Sequence, residues 1–382
     1  MQKRGIKMNR LLSRILFVAF LVFAASGFVP SLSRTSTPVA PTPTSVRSTP
    51  ARIPTVPISA TEKLSKTSLE FSILRGLDFL YQNQLPYGEF RTLACRDKEM
   101  EKQCHLDSSP FITTIILYSI KDIIDKRVEI MTNAATGFLL SEQKPNGAWN
   151  VYTSRNIHKA TQPPDDADDT ACASAILYLN NIHFRENLYL FNKYRNNEGV
   201  VNLWFGEYEK FQDYDCEVNS NILFYFGLRN IHDNQICNFI NENILKENYS
   251  CCIYCEDRDS GKNYIPLFYL VSRAFKNGNP CLNRSKEHML HNILVLQKKS
   301  GSFGNDLDTA LALNTLMNLN YYGIEVGRGI NALLQKQLSN GSWKRQVFYI
   351  DRMPNFFGSE ELTTAVAIEA MRKYLQLLCN QQ

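Results

Sequence analysis

The chain reads as an all-α protein, a single (α/α)6 toroid built from helical hairpins, and three observations predict this. A turn sequence recurs. Gln84-Leu85-Pro86-Tyr87-Gly88-Glu89-Phe90, Gln143-Lys144-Pro145-Asn146-Gly147-Ala148-Trp149, Gln297-Lys298-Lys299-Ser300-Gly301-Ser302-Phe303 and Gln337-Leu338-Ser339-Asn340-Gly341-Ser342-Trp343 all have the form Gln-x-x-x-Gly-x-Trp/Phe. Each copy follows a segment with helical apolar spacing and precedes a second apolar segment rich in small residues, at 111–120, 170–179, 309–319 and 363–371. The glycines are 59, 154 and 40 residues apart, and the long gap has room for two degenerate copies. Six αα hairpins can close into a ring, and a closed ring needs no capping repeats.

Taken in order, residues 1–30 come first. Lys3, Arg4, Lys7, Arg10 and Arg14 precede an apolar run over 15–29, short for a membrane span, with Ala24-Ala25-Ser26 as a cleavage site. This is a signal peptide, or alternatively a membrane anchor. Residues 31–62 are rich in Pro, Ser and Thr without a hydrophobic period, and read as a disordered linker. The toroid occupies 63–382. Its two degenerate hairpins are expected around Trp204-Phe205-Gly206 with 219–227, and around 249–255 with 264–271. In each turn the glycine permits positive φ. The glutamine can satisfy orphan backbone groups at helix ends, and the aromatic fills the gap to the next hairpin. The repeat therefore reports architecture, not catalysis.

The net charge of +5 belongs to the leader. Residues 1–60 carry eight Lys/Arg and no acid, leaving 34 basic against 37 acidic residues, a net of −3. No basic cluster interleaves with aromatics, so a nucleic-acid partner is not expected. Ten cysteines behind such a leader permit disulfides. Cys252 and Cys255 form a CxxC pair, but no second pair or histidine cluster completes a zinc set, so no metal ligand is assigned.

The chemistry lies in Pro163-Pro164-Asp165-Asp166-Ala167-Asp168-Asp169-Thr170-Ala171. Four carboxylates in five positions cannot all ionise cheaply in a partly buried site, because like charges raise one another's pKa. At least one is expected to hold its proton near neutral pH and to serve as a Brønsted acid. The acidic or hydroxylic slots of other hairpins, Asp107-Ser108-Ser109, Asp306-Leu307-Asp308-Thr309 and Glu360-Glu361-Leu362-Thr363, suit helix capping. Capping explains one or two acids per hairpin rather than four. Asp306 and Asp308 are read as caps, with a second acidic pair as the alternative.

These residues carry a resemblance. The Gln-x-x-x-Gly-x-Trp repeat resembles the QW motif of the squalene–hopene cyclase and class II terpene cyclase superfamily. Asp166-Ala167-Asp168-Asp169-Thr170-Ala171 resembles its DxDDTA acid motif. The likeness covers nearly all of 65–380. With room for one helical domain, the chain is most similar in size to the single-domain cyanobacterial meroterpenoid cyclases of the merosterolic acid synthase type. The leader and linker, and the degenerate middle repeats, depart from that pattern. The resemblance implies protonation of a terminal isoprene double bond and cyclisation of a polyprenyl chain, without an organic cofactor. It implies that Asp168 is the donor, with Asp166 and Asp169 holding and tuning it, and that the partner is a prenylated or linear isoprenoid. Substrate contacts are expected from Asp165 and from aromatics at turns and inner-helix starts: Trp204, Phe205, Tyr214, Tyr264, Phe303, Phe348, Phe356 and Phe357. Such faces stabilise cations, although each is also a reasonable core residue.

Three alternatives stand beside this. A non-catalytic exported toroid binding a lipid or a protein would account for the leader and linker. Asp165, Asp166 and Asp169 also form DDxxD, which in a metal-dependent prenyltransferase would bind Mg²⁺. Asp213-Tyr214-Asp215-Cys216 resembles, with altered spacing, the zinc ligands of protein prenyltransferase β subunits. The leader implies an exported or membrane-anchored protein, or a cytoplasmic one if it is not used. Oligomeric state is left open.

Overall fold

Twelve α-helices account for most of the described residues, and they alternate between two kinds of burial. The computed structural model describes residues 65–161, 163–206, 214–249, 263–351 and 355–380. The leader, the linker and the CxxC pair lie outside them. Among the described residues no helix is long and apolar enough to cross a membrane.

The odd-numbered helices are α1 (Lys66–Asn83), α3 (Lys126–Glu142), α5 (Leu188–Lys193), α7 (Asn234–Leu245), α9 (Lys286–Leu294) and α11 (Ile324–Leu334). They bury one face at helical spacing, as with Leu69, Ile73, Leu77 and Leu80 on α1 or Ile236, Ile240 and Ile244 on α7. The even-numbered helices are α2 (Pro110–Ile120), α4 (Ala167–Leu179), α6 (Cys216–Leu228), α8 (Ile265–Lys276), α10 (Asp306–Asn318) and α12 (Glu360–Asn380). These are buried nearly all round; on α2 every residue is. A helix apolar on every side must be enclosed by others. Accordingly α2 packs on α4, α4 on α6, α6 on α8, α8 on α10, α10 on α12, and α12 back on α2.

The four recognised turns share one set of bonds. Each glutamine Nε2 donates to its own turn's glycine carbonyl and to a carbonyl at the next outer segment. Gln84 reaches Gly88 and Met131, Gln143 Gly147 and Arg185, Gln297 Gly301 and Glu325, and Gln337 Gly341 and Ser72, all at 2.8–3.0 Å. Gln337 thus ties the last turn to the first helix. Gly341 has φ +90°, and a Cβ there would lie 2.4 Å from the Arg75 carbonyl oxygen, so only glycine fits. The residue two after each glycine gives its N–H to a threonine of the following inner segment: Phe90 to Thr113, Trp149 to Thr170, Phe303 to Thr309 and Trp343 to Thr364.

The third repeat is not where the sequence pattern puts it. It lies at Arg195-Asn196-Asn197-Glu198-Gly199-Val200-Val201, upstream of Trp204-Phe205-Gly206. Arg195 takes the glutamine's place, donating to the Gly199 carbonyl and to Asp233, both at 2.6 Å. Gly199 has φ +79°, and the Val201 N–H goes to Asn219 instead of a threonine. Most of the fourth turn, expected around 249–255, lies outside the described residues.

The loops also hold strands that an all-helical reading leaves out. β1 (Leu93–Cys95), β2 (His105–Leu106), β5 (Tyr349–Ile350) and β6 (Phe356–Gly358) form an antiparallel sheet of order β2-β1-β6-β5, joining the first hairpin's loop to the last. β3 (Asp165–Asp166) pairs with β4 (Trp204–Phe205). Disulfides link Cys95 to Cys104 and Cys237 to Cys281; Cys216 is also disulfide-bonded, while Cys172 and Cys379 are free thiols.

Candidate active site

The aspartate run crosses from a strand into an inner helix, and that crossing separates its members. Asp165 is held outside the helix by Lys144 Nζ at 2.5 Å and Asn146 Nδ2 at 2.7 Å. It braces the turn of its own hairpin. Asp166 is the N-cap of α4, accepting the Asp169 N–H at 2.8 Å. Capping therefore claims one carboxylate. Asp168 and Asp169 fall in the first turn, both buried to 3% exposure, among inner helices that bury apolar side chains on every side.

Asp168 is singled out by its partners. Asn221, in the middle of α6, donates Nδ2 to Asp168 Oδ1 at 2.5 Å. The Oδ1 of Asn221 in turn accepts from Arg273 on α8. This amide can face only one way, because Arg273 is always a donor. The guanidinium is itself buried, 4.4 Å above the Phe224 ring and within 6 Å of Tyr118 and Tyr269, with the Cys172 thiol 3.8 Å away. A charged group here is tolerable because aromatic faces and a relayed carboxylate surround it.

Burial is the largest influence on all three buried aspartates, ahead of the mutual repulsion expected from the sequence. It pushes Asp168 up to about 6, restrained by the Asn221 bond and the Arg273 charge. Burial, then the Asp168 charge, drives Asp166 well above the usual range. Burial, then Asp166 and Asp168, does the same to Asp169, whose Oδ1 has no hydrogen-bond partner among the described residues. Among the described residues, Asp168 is thus the one of the three whose conjugate base is supported by a buried cation, Arg273 acting through Asn221.

The predicted aromatics divide. Trp204 and Phe205 pair through their backbones with Asp166 and Asp165. The ring of Phe205 is spent on Phe191 and Tyr194, at 5.4 and 5.3 Å. Phe348 stacks on Phe111, while Phe357 lies 4.6 Å from the ring of Tyr349. Tyr349 is half-buried, and the charges of Asp107, Asp169 and Asp168 act on it, so this cluster lies at the aspartate run's end of the fold. Phe356 is half-buried in β6. Three others go elsewhere. Tyr214 is exposed beside Phe239 on an outer groove of about 670 Å³. Tyr264 stacks on Tyr249 and Phe268, and Phe303 is core.

The alternative readings meet particular geometry. Asp308 forms a capping box with Asn305 and accepts Asn263, so capping accounts for it. Cys216 is disulfide-bonded and Asp215 caps α6, which removes the thiolate a zinc set would need; Asp213 lies outside the described residues. In DDxxD, Asp165 is engaged by Lys144 and Asp166 by a helix cap.

Sequence reasoning missed Asn221, Arg273 and Tyr118. The signal was there for two of them: Asn219-Ser220-Asn221 interrupts an apolar inner helix, and Arg273 closes the apolar run of α8.

No family model and no curated protein matches the chain. Among solved structures, type II terpene cyclase MstE from Scytonema superposes with a TM-score of 0.59 at 13% identity, covering 82% of this chain and 99% of that one. An arginine-to-alanine variant of the same enzyme with geranylgeranyl dihydroxybenzoate bound gives 0.56 at 14% identity, covering 82% and 99%. A protein from Actinoplanes gives 0.57 at 16% identity, covering 80% of this chain and 99% of its own. The helical fold of this chain is shared with that of type II terpene cyclase MstE.

Proposed function

We propose that the protein is a class II terpene cyclase built on a six-hairpin (α/α)6 toroid, with Asp168 as the proton donor. The observation that carries this is the relay Arg273–Asn221–Asp168 across three inner helices. Protonating an alkene requires an acid that is loaded yet strong, away from water. Burial loads Asp168. Asn221 and Arg273 keep it acidic and hold the carboxylate left after transfer. With Oδ1 taken by Asn221, Oδ2 is the oxygen that delivers the proton. Ring closure then proceeds along a prefolded chain, and a final proton loss restores neutrality. The aromatic cluster of Phe111, Phe348, Tyr349 and Phe357 offers faces without a nucleophile to the passing cation. Asp166, through its cap, and Asp169 position the first turn of α4.

The neighbouring enzyme's ligand, geranylgeranyl dihydroxybenzoate, supports an isoprenoid substrate, either a prenylated aromatic acid or a linear isoprenoid. The leader together with the disulfides supports export or membrane anchoring through residues 1–30.

The test uses the full-length chain, geranylgeranyl dihydroxybenzoate and linear isoprenoids, with product masses measured. The expected product is a new isomer of unchanged mass, absent with Asp168→Asn although that variant keeps its helical spectrum. An active Asp168→Asn variant, or no product across the panel, overturns the assignment and leaves a binding toroid.

A further inference from the structure

Outside the acid run, a second set of chemistry-bearing side chains converges on the same loops. His105 lies on β2, Asp107 follows it, and His158 comes from the long loop between α3 and α4. Their ligand atoms all lie within 4.8 Å of one another. The two imidazole rings meet edge to face at 6.2 Å. Asp107 is buried, His105 half-buried and His158 exposed, so the set is walled on one side and open on the other.

Asp107 stands where a helix cap is expected, but Ser109 caps α2. Its carboxylate serves something else. Asn156 is the organiser. Its Nδ2 donates to Asp107 Oδ1 at 3.0 Å and to the Ser108 carbonyl at 2.8 Å, while its Oδ1 accepts the His158 backbone N–H at 2.7 Å. One buried amide thus fixes the carboxylate of Asp107 and the backbone that carries His158. The third member is placed by the sheet: His105 is in register with Ala94, and the Cys95–Cys104 disulfide ties down the approach to β2. The Asp107 N–H bonds to the Thr92 carbonyl at 2.9 Å.

We propose that His105, Asp107 and His158 bind a divalent first-row transition ion of the zinc type. Two imidazoles and one carboxylate suit zinc or its neighbours, whereas calcium and magnesium prefer all-oxygen sets. In a tetrahedral site with bonds of about 2.1 Å, ligand atoms stand about 3.4 Å apart. The cluster must therefore close by about an ångström, and the exposed side chain of His158 has room to move that far. A carboxylate held by an outer-shell amide is the arrangement that orients metal ligands. Three protein ligands leave a further position open to water or to an anionic group. Asp168 is not among the ligands, and this inference does not depend on the cyclase reading.

The test takes the full-length chain stripped with a chelator and titrated with Zn²⁺ by calorimetry, then with Co²⁺ by visible absorption. One equivalent is expected to bind, with Co²⁺ bands characteristic of nitrogen and oxygen ligands. His158→Ala and Asp107→Asn are expected to abolish that equivalent. Asn156→Ala should weaken it by about tenfold or more, and Asp168→Asn should leave it unchanged. His158 is exposed, so its variant will fold even if the buried Asp107 variant does not. Binding that survives His158→Ala, a thiolate charge-transfer band with Co²⁺, or no bound equivalent would overturn the proposal.

Discussion

Asn221 donates its amide to Asp168 across the interface between α6 and α4, at 2.5 Å, and the two residues are 53 positions apart in the chain. This bond, with Arg273 behind it, distinguishes Asp168 from Asp166 and Asp169, which burial treats in the same way.

Removing the relay should move the acid. Asn221→Leu takes away a bond to a charged acceptor worth about 1.5–3 kcal/mol. Asp168, pushed up to about 6 in the intact protein, should then titrate roughly one to two pH units higher. In the parent protein, isomer formation should fall about tenfold per unit as pH rises above 6, because less of the acid is loaded. In the variant that limb should shift upward while the maximal rate drops, since a weaker acid transfers its proton less readily. A pH profile of product formation with both proteins reads both effects.

The same carboxyls set stability. Asp168 has a folded pKa above its unfolded value of about 3.8, and burial and the neighbouring carboxylates raise Asp169 in the same direction. The folded state therefore binds more protons. The stability they contribute is complete below about pH 4 and is lost as pH rises through the folded values. Asp169→Asn removes a carboxyl whose Oδ1 has no hydrogen-bond partner among the described residues. The variant should be more stable than the parent at pH 8, by about 1–3 kcal/mol, with the advantage vanishing near about pH 4. Thermal unfolding at both pH values checks it.

Gln337 should be a fastening point of the whole ring. Its Nε2 bonds to Gly341 and Ser72 join the last turn to the first helix. Gln337→Ala should cost about 1.5–4.5 kcal/mol for these two bonds and the one its Oε1 accepts from the Ser72 hydroxyl, measured by urea unfolding. Arg195→Gln should cost less than about 1 kcal/mol: the turn bond can be remade, and only the partly exposed pair with Asp233 is lost.

A second buried charge pair is structural. On α12, Glu369 accepts Lys373 at 2.6 Å, Tyr269 at 2.9 Å and Ser119 at 3.0 Å. Burial pushes its pKa up, but the Lys373 charge and these bonds more than reverse it. Its contribution is therefore present above about pH 4.5 and lost as pH falls. Glu369→Gln leaves the Lys373 ammonium with the neutral Asn318 amide oxygen but no carboxylate, and should cost about 3–5 kcal/mol at pH 7, seen as a lowered urea midpoint.

The Gln-x-x-x-Gly-x-Trp turns were legible because their bonds close within the turn or on the adjacent hairpin. The third repeat was misplaced because Arg195 and Val201 replace the glutamine and the aromatic. What is kept there is the positive φ of Gly199 and the pattern of donors, and neither is written as a residue type. Phe205 and Tyr264 looked like cavity aromatics because composition cannot say which side of a helix layer a ring will face. Likewise, His105, Asp107 and His158 carry no recognisable spacing. Strand register and the bonds of Asn156 bring them together.

By itself the sequence determined the helical hairpins, the glycine turns that join them, and the concentration of acid at one inner-helix start. These follow from local propensity, capping and periodicity, which act over a few residues. Tertiary structure decided how the carboxylates of the run differ from one another. A carboxyl's proton affinity depends on the water removed from it and on the charges facing it. Asn221 and Arg273 come to face Asp168 only when α4, α6 and α8 pack side by side.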